Sequence, residues 1–338
     1  SAASDVYKRQ VIDMRGNPGG PLSEAVEVTN LFVPRGQKVV YTKGKLASVN
    51  SEHYTKKEPL DVDIPVAVLV DGSTASSAEI VSGAWQDWDR AVIVGERTYG
   101  KGLVQMIREV PYHGSLKVTT SRYYIPSGRC IQAYDYRHLN PDGSAKTLPD
   151  SLTKAFKTAG GREVRDGGGI KPDVVITPDS LPSIVYDIAT SDVLLDYVNR
   201  YVQTHATIAP AGDFSLTDAD YADFVKMVEE SDFTYKRRTE EMMKLLERTA
   251  RFEGCYEGAK PEFEALAAKM KGGVAADLEL PKNKGEIKSV LESDIVARYY
   301  FRRGVVQQQL KADKDLKTAL EILTDTERYE SLLKPVKK

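Results

Sequence analysis

Residues 64–70 form an uninterrupted apolar run, Ile-Pro-Val-Ala-Val-Leu-Val. A strand that is apolar at consecutive positions must be covered on both faces, which is typical of the strands of α/β proteins. The run ends at the turn formed by residues 71–74, Asp-Gly-Ser-Thr. Apolar residues at helical spacing follow this turn: Ile80, Val81, Ala84, Trp85 and Trp88. This strand, turn and helix predict an architecture in which helices cover a sheet.

Further segments of the first half fit the same alternation of strands and helices. Residues 11–14 and 91–95 are predicted as two more buried strands. Residues 116–125 are predicted as a long strand that forms a hairpin with the segment after Lys101. The first half of the chain is therefore expected to be an α/β core.

The second half has a different pattern. Residues 137–165 are polar and contain several glycines, so they are predicted as a long insertion or loop, and residues 170–176 return to a strand. From about residue 181 onward, charged and apolar residues alternate at helical spacing. Helices are predicted at residues 221–253, 261–270, 284–309 and 315–333. We expect a core over residues 1–180 and a mostly helical C-terminal region over residues 181–338.

Composition excludes some classes of function. The 338 residues carry a formal net charge of -2, which gives no overall positive field to attract nucleic acid. The longest apolar run, residues 64–70, is too short to span a bilayer. Cys130 and Cys255 could be bridged in an oxidising compartment, but two thiols do not identify that compartment.

The beginning of the chain has an unusual pattern. Residues 1–10 are polar and lead directly into the predicted strand at residues 11–14, without a signal-peptide pattern. We expect that the chain is a fragment lacking its natural N-terminal part and that residues 1–10 are not native sequence.

Ser76 is the first candidate for chemistry, because it lies where a buried strand gives way to a helix. A hydroxyl at such a junction lies beside unpaired backbone N–H groups and the positive end of the helix dipole, which can stabilise an oxyanion. The alternative is that Ser73, Thr74 or Ser76 only caps the helix, and this segment alone favours capping.

Lys101 is the second candidate, since glycines flank it on both sides. A partly buried lysine loses part of the preference for its charged form and can act as a base. The alternative is an ordinary solvated loop lysine. A phosphate-binding loop does not fit, because no Ser or Thr follows the lysine.

A turn with two consecutive glycines is the third candidate, Asn17-Pro18-Gly19-Gly20. Its backbone N–H groups can converge on one point and complete an oxyanion site. Taken alone, however, the sequence of this turn favours an ordinary tight turn.

Taken together, these segments resemble the carboxyl-terminal processing peptidases, the S41 family of serine proteases. The stretch Ile-Asp-Met-Arg-Gly-Asn-Pro-Gly-Gly at residues 12–20 resembles the first motif of that family. The stretch Thr-Ala-Ser-Ser-Ala-Glu-Ile at residues 74–80 is similar to its nucleophile segment, and residues 95–105 to its lysine segment. Residues 119–128 and 169–174 resemble two further stretches, and all five occur in the order of the family.

The resemblance implies a role for several residues. Ser76 would be the nucleophile of a Ser-Lys dyad, Lys101 its general base and Gln105 the residue that orients the lysine. Gln105 follows Lys101 by four positions, so direct contact requires a helical or bent path of the backbone.

The same resemblance implies an oxyanion hole made by the backbone N–H of Ser77 and that of Gly19 or Gly20. The family commonly has Ala-Ser where this chain has Ser77-Ala78, which leaves Ser76 and Ser77 as neighbouring candidates for the nucleophile. Alignment on the following Glu-Ile pair favours Ser76.

The implied protein is a serine endopeptidase of the cell envelope or periplasm that cleaves protein substrates near their C-terminal region through an acyl-enzyme. Its fold would be a crotonase/ClpP-like sheet-and-helix protease core followed by the helical region. No cofactor, metal or nucleic acid is expected, and none of the four histidines is needed.

The resemblance also implies a PDZ domain upstream of residue 11, which this chain would lack. An extended substrate would add a strand beside the sheet, and the helical region is a candidate for homo-oligomer contacts.

Two other functions remain open at this stage. The first is a catalytically inactive interaction or oligomerisation module on the same fold, against which the presence of Ser76, Lys101 and Gln105 argues. The second is a crotonase-like acyl-CoA enzyme, whose fold also uses paired N–H groups as an oxyanion hole. The sequence contains no sign of a CoA-binding surface, and the peptidase interpretation fits best.

Overall fold

The computed structural model describes residues 9–140, 143–177, 180–270 and 273–335. Most of the segment 1–10, which was predicted to be non-native, lies outside these ranges. Contacts divide the chain into two compact units, Ser1–Pro178 together with Lys314–Lys338, and Asp179–Asp313. The domain limits predicted from the sequence, 1–180 and 181–338, stay a prediction.

The described residues form twelve strands and eleven α-helices. The strands are β1 Gln10–Asp13, β2 Lys38–Gly44, β3 Ser51–Tyr54, β4 Val66–Val70, β5 Val92–Gly95, β6 Leu103–Val110, β7 Gly114–Tyr124, β8 Tyr134–Leu139, β9 Ala145–Thr147, β10 Ala155–Lys157, β11 Glu163–Arg165 and β12 Val174–Val175. The helices are α1 Leu22–Asn30, α2 Ser77–Asp87, α3 Ser183–Ala189, α4 Asp192–Thr204, α5 Asp218–Glu229, α6 Arg238–Phe252, α7 Tyr256–Met270, α8 Val274–Leu278, α9 Pro281–Gln309, α10 Lys314–Thr324 and α11 Thr326–Leu332. The predicted fold class, an α/β core with a mostly helical C-terminal region, is confirmed.

A parallel sheet with the order β1-β4-β5-β12 forms the centre of the first unit. All five residues of β4 are buried, as expected for a strand that is covered on both faces. On one face, Val66, Val68 and Val70 belong to the same hydrophobic cluster as Ile80 and Trp85 of α2. This packing confirms the prediction made from the apolar run and the helical stripe.

A helix from the far end of the chain covers the other face of the sheet. Ala67 and Leu69 of β4 share a hydrophobic cluster with Ala319, Ile322 and Leu323 of α10. The sequence predicts this helix as part of the C-terminal region. An amphipathic pattern shows that a helix packs against another element, but it does not identify that element. Its contacts group it with the sheet instead.

A second, antiparallel sheet has the order β3-β2-β7-β6. The predicted hairpin between the segment after Lys101 and residues 116–125 corresponds to β6 and β7. The stretch 137–165, predicted as a loop, contains two hairpins, β8 with β9 and β10 with β11. Three of these four strands have only three residues, and most of their side chains are not buried, so no apolar alternation marks them in the sequence.

The second unit is built from helices α3 to α9, which agrees with the mostly helical character predicted for this region. The single helix predicted at residues 221–253 is two helices, α5 and α6, and α3, α4 and α8 were not among the predicted helices. Its core includes Tyr197 and Tyr221 together with Leu291 and Ile295 of α9. Helix α9 is interrupted at Phe301, where φ is 54°. In the described part of the chain, every helix is either too short or too polar to cross a bilayer. Cys130 and Cys255 are free thiols.

A buried ion pair ties α2 to the segment after β7. Arg129 and Asp87 are 1% and 0% exposed at their side chains, and Arg129 Nη2 lies 2.9 Å from Asp87 Oδ1. Burial raises the pKa of Asp87, and the nearby guanidinium opposes that rise. Removing one partner therefore leaves an uncompensated charge in the core.

We expect Arg129→Met to lower the free energy of unfolding by about 3–5 kcal/mol, because the Asp87 carboxylate loses its partner inside the protein. Urea unfolding of the wild-type and variant proteins measures this difference. Arg165→Met is the matched control, since its pair with Glu163 is about half exposed and is worth about 0–1 kcal/mol. Equal losses in the two variants would contradict the prediction.

Candidate active site

Two turns meet at one edge of the parallel sheet. Strands β1 and β4 are parallel neighbours, so the turns that follow them lie side by side at the carboxyl ends of the strands. The N–H of Ala75 donates to the carbonyl of Asn17 over 2.9 Å. The hydroxyl of Thr74 donates to the carbonyl of Met14 over 2.8 Å. These hydrogen bonds hold the glycine turn against the segment that contains Ser76.

Ser76 occupies the N-cap position of α2 and has φ 58° and ψ −121°. A non-glycine residue seldom adopts such a conformation, and residues held in it cluster at functional sites. A sharp strand-to-helix turn also presents the nucleophile of α/β-hydrolases. Ser76 is half-buried, and the N–H groups of Ala78 and Glu79 in the first turn of α2 already donate to the carbonyls of Ala75 and Ser76, over 3.2 Å and 2.9 Å.

Gly19 lies directly against the Ser76–Ser77 peptide. Its φ is +90°, and a Cβ at this position would lie 2.8 Å from the Ser77 nitrogen and 2.9 Å from the Ser76 Cβ. Only glycine fits this close approach. The structure therefore brings together Gly19, Ser76 and Ser77, the residues that the sequence assigned to an oxyanion hole and a nucleophile.

The N–H groups of the glycine turn already have acceptors. Gly19 donates to Asn17 Oδ1 over 2.9 Å, and Gly20 donates to the Ser77 hydroxyl over 2.5 Å. Ser77 is buried, so its side chain serves as an internal acceptor in this arrangement. An oxyanion could use these two N–H groups only after displacing their present acceptors.

The buried carboxylate of Glu79 joins the Ser76 turn to the Lys101 segment. Its Oε2 accepts hydrogen bonds from the N–H groups of Ser76 and Lys101, over 2.8 Å and 2.9 Å. Its Oε1 accepts from the Thr98 hydroxyl over 2.5 Å and the Gly100 N–H over 2.7 Å. Burial raises the pKa of Glu79, and these four donors oppose the rise because they stabilise the ionised form.

A tyrosine hydroxyl makes a second connection between the same two segments. The Tyr123 hydroxyl of β7 lies within hydrogen-bonding distance of the carbonyl of Ser76, at 3.2 Å, and of the carbonyl of Lys101. Burial, together with the nearby charge of Glu79, raises the pKa of Tyr123 well above its usual value. The phenol therefore keeps its proton and remains a hydrogen-bond donor.

The side chains of Lys101 and Gln105 line one cleft of about 620 Å³. An extra residue, Thr120, disrupts the pairing of β7 opposite Val104 and Gln105, which bends the strands as a β-bulge does. Lys101 is exposed, which differs from the partly buried position expected for it. Its backbone N–H faces the buried Glu79, whereas its side chain lies along the wall of the cleft.

The predicted dyad of Ser76 and Lys101 is not formed among the described residues. Among the described residues, no hydrogen bond joins the Ser76 hydroxyl to the Lys101 amine, and none joins Lys101 to Gln105. The glycine turn and the serine segment are in contact. The Tyr99 N–H of the lysine segment donates to the Thr74 carbonyl of the serine segment over 3.0 Å, and Glu79 and Tyr123 add further links between these two segments. No group of three or more His, Cys, Asp or Glu residues suited to a metal ion occurs within the described ranges.

Sequence reasoning missed the parts played by Glu79, Thr98 and Tyr123. The spacing Ser-x-x-Glu at residues 76–79 is a capping-box pattern, which indicates a hydrogen bond from the Ser76 N–H to the glutamate carboxylate. Thr98 and Tyr123 have no comparable signal, because their contacts with this site come from segments that only the fold brings together.

Comparison with known proteins gives two family matches. Residues 2–145 match the model of peptidase family S41. Residues 184–323 match the model described as "Probable PDZ-protease, C-terminal helical domain".

Individual relatives agree with the first match. A carboxy-terminal-processing protease of Bartonella bacilliformis is 38% identical over 163 residues, which cover 48% of this chain and 37% of that protein. A probable CtpA-like serine protease of Staphylococcus aureus is 36% identical over 166 residues, covering 46% of this chain and 32% of that protein. The matched regions thus span about a third of the length of these relatives.

Among solved structures, the photosystem II D1 C-terminal processing protease is similar to this chain. The two are 26% identical, and the alignment covers 54% of this chain and 38% of the other, with a TM-score of 0.39.

The close approach of Gly19 predicts the effect of a small substitution. Gly19→Ala should lower the free energy of unfolding by about 1–3 kcal/mol more than Gly16→Ala, because only its Cβ collides with neighbouring backbone. Gly16 is the matched control, since its φ is also positive, +64°, and no atom lies within 4 Å of its Cβ position. Urea unfolding of both variants measures the difference, and equal losses would show that the two turns are not packed as described.

Because four hydrogen-bond donors surround the Glu79 carboxylate, even an isosteric substitution at this position should destabilise the protein. Glu79→Gln should lower the free energy of unfolding by about 1–3 kcal/mol, because the amide group turns one acceptor into a donor that faces buried donors. Glu79 is 0% exposed, whereas the control, Glu24→Gln, changes an exposed side chain. Chemical denaturation of the three proteins measures the loss. A Glu79→Gln protein as stable as wild type would be inconsistent with the hydrogen bonds described.

Proposed function

We propose that this chain, which matches the model of peptidase family S41 over residues 2–145, carries the catalytic core of a serine endopeptidase that cleaves protein substrates near their C-terminal region. One observation carries the proposal. Ser76 is held in a strained backbone conformation at the start of α2, with the Gly19 backbone in close contact. Strain at a serine beside converging N–H groups is expected of a nucleophile and is unnecessary for a simple cap.

The proposed reaction is acyl transfer through a Ser-Lys dyad. The uncharged amine of Lys101 accepts the proton of the Ser76 hydroxyl while the oxygen attacks the peptide carbonyl carbon. The N–H of Ser77 and that of Gly19 or Gly20 stabilise the oxyanion, and one such donor is worth about 2.7–4 kcal/mol in other serine proteases. The lysine ammonium then protonates the leaving amine, and water hydrolyses the acyl-enzyme with the amine again acting as base.

This reaction requires local rearrangements from the arrangement described above. The hydrogen bonds of Glu79 and Tyr123 hold the backbones at Ser76 and Lys101 together, so the lysine side chain can reach the serine by changing its rotamers. In the glycine turn, an oxyanion would replace Asn17 Oδ1 or the Ser77 hydroxyl as the acceptor. Gln105, on the same cleft wall as Lys101, would then orient the amine.

The surroundings of the site support further parts of the proposal. β6 is an edge strand of its sheet, and an extended peptide can add a strand beside such an edge.

Met242, Leu245 and Leu246 leave apolar surface exposed on α6, which supports homo-oligomer contacts through the helical region. We also propose a location in the cell envelope or periplasm, based on the resemblance to carboxyl-terminal processing peptidases.

The alternative function is an inactive interaction module on the same fold. One observation favours it, namely that no hydrogen bond links the Ser76 hydroxyl to the Lys101 amine in the described part of the chain. Such a module would carry an ordinary serine hydroxyl, which does not react with an active-site-directed reagent. Chemical reactivity at Ser76 therefore separates the two functions.

The test combines covalent labelling with peptide hydrolysis. The wild-type chain should react with a fluorophosphonate at Ser76, and Ser76→Ala should lose the label, with mass spectrometry locating the modified residue. Lys101→Ala should lower kcat by about 10²–10⁴-fold, the range expected for the loss of a general base. Ser77→Ala should still be labelled, which decides between the two adjacent serines.

Two outcomes would contradict the proposal. Labelling that persists in Ser76→Ala and disappears in Ser77→Ala would move the nucleophile to Ser77. A wild-type chain that neither labels nor hydrolyses peptides, although circular dichroism shows it folded, would favour the inactive module.

A further inference from the structure

The cleft that contains Lys101 and Gln105 has a strongly positive lining. Asp135 is the one carboxylate among the residues that line it. Five of these residues are cationic, namely Lys43, Lys45, Lys101, Arg122 and Arg137. The whole chain carries a formal net charge of -2, so this excess of positive charge is local. Cations gathered in a cleft attract anionic groups more strongly than the same cations spread over a surface.

The five cations lack acidic partners. Within the described ranges none of them forms an ion pair, and Lys43 only lies over the ring of Tyr41, 5.2 Å from its centre. Asp135 accepts hydrogen bonds from the ring of His138, at 2.7 Å, and from the N–H of Arg137, at 3.0 Å. Its charge offsets one of the five cations, so the residues lining the cleft keep an excess of four positive charges (5 − 1).

The walls of the cleft suit an extended peptide. Leu103 and Gln105 come from the edge strand β6, while Arg122 lies opposite Leu103 on β7. A peptide that pairs with the edge of β6 directs alternate side chains to one face, about 6–7 Å apart. Lys43 of β2, Arg122 of β7 and Arg137 of β8 line the same cleft as these two residues of β6.

We propose that this cleft selects peptide substrates with Asp or Glu side chains next to the scissile bond. The inference rests on the proposed function, because it places the substrate beside Lys101. The carboxylates of the peptide pair with Arg122 and with Lys45 or Arg137, which relieves the repulsion among these cations. The selectivity is therefore electrostatic, and it weakens as salt concentration rises.

The test uses two fluorescent peptides with amidated C-termini, identical except that glutamates flanking the scissile bond in one are glutamines in the other. Binding is measured by fluorescence anisotropy with the Ser76→Ala chain, which does not turn the peptide over. The Glu peptide should bind more tightly than the Gln peptide. The double variant Lys45→Gln/Arg122→Gln, made in the Ser76→Ala chain, should weaken binding of the Glu peptide about three- to tenfold and leave the Gln peptide unchanged.

Lys117→Gln, also made in the Ser76→Ala chain, is the matched control. Lys117 is an exposed lysine of β7 that does not line the cleft. Its substitution removes a positive charge from the same strand and should leave both affinities unchanged. A similar loss with Lys117→Gln would mean that only the overall charge of the protein matters, and it would overturn the proposal.

Other outcomes separate failure of this inference from failure of the proposed function. Ser76-dependent cleavage of both peptides with equal kcat/KM, together with equal binding, would overturn the charge selectivity and leave the peptidase function intact. A preference that appears only when the peptide has a free C-terminal carboxylate would also overturn it, because the cleft would then bind the chain end. Absence of fluorophosphonate labelling at Ser76 would instead contradict the proposed function.

Discussion

The arrangement of the candidate site depends on one buried carboxylate, that of Glu79. It accepts four hydrogen bonds, two from the Ser76 and Lys101 N–H groups and two from Thr98 and Gly100. These donors come from segments that follow two neighbouring strands of the parallel sheet, β4 and β5. A charged group is costly to bury unless all its acceptor sites are used. The chain meets this cost with three backbone N–H donors and the Thr98 hydroxyl, which lie in the segments that follow these strands.

In this candidate site, the residues that hold the backbone in position are therefore different from those whose side chains would carry out the chemistry. Glu79 and Tyr123 hold the main chain near Ser76 and Lys101, and Lys101 is also one of the residues that line the cleft. The glycine turn is similar, because its position is determined by close packing while its N–H groups hydrogen-bond to exchangeable polar acceptors. The proposed acyl transfer therefore requires side-chain movement and exchange of hydrogen-bond acceptors, without a change in the backbone contacts described here.

The fold can be predicted from the sequence where a physical signal in the sequence is compatible with only one structure. The apolar run at residues 64–70 requires cover on two faces, and β4 is buried throughout. The hairpins of residues 137–165 were missed because their short strands are mostly unburied and carry no periodic apolar signal. For the site, the order of motifs placed Ser76 beside Gly19, whereas the exposure of Lys101 and the contacts of Tyr123 depend on strand pairing between distant segments. Such pairing is a property of the whole fold.

The packing of α10 on the parallel sheet has a consequence for how the protein is made. Leu69 and Ala319 are 250 residues apart in the sequence (319 − 69), yet the two share one hydrophobic cluster. During synthesis at about 5–20 residues per second, the ribosome takes on the order of ten to fifty seconds to pass from the first to the second. One side of the sheet is therefore without its native cover until the ribosome has passed α10, and during that interval the nascent chain exposes the apolar side chains of β4 on which α10 later packs.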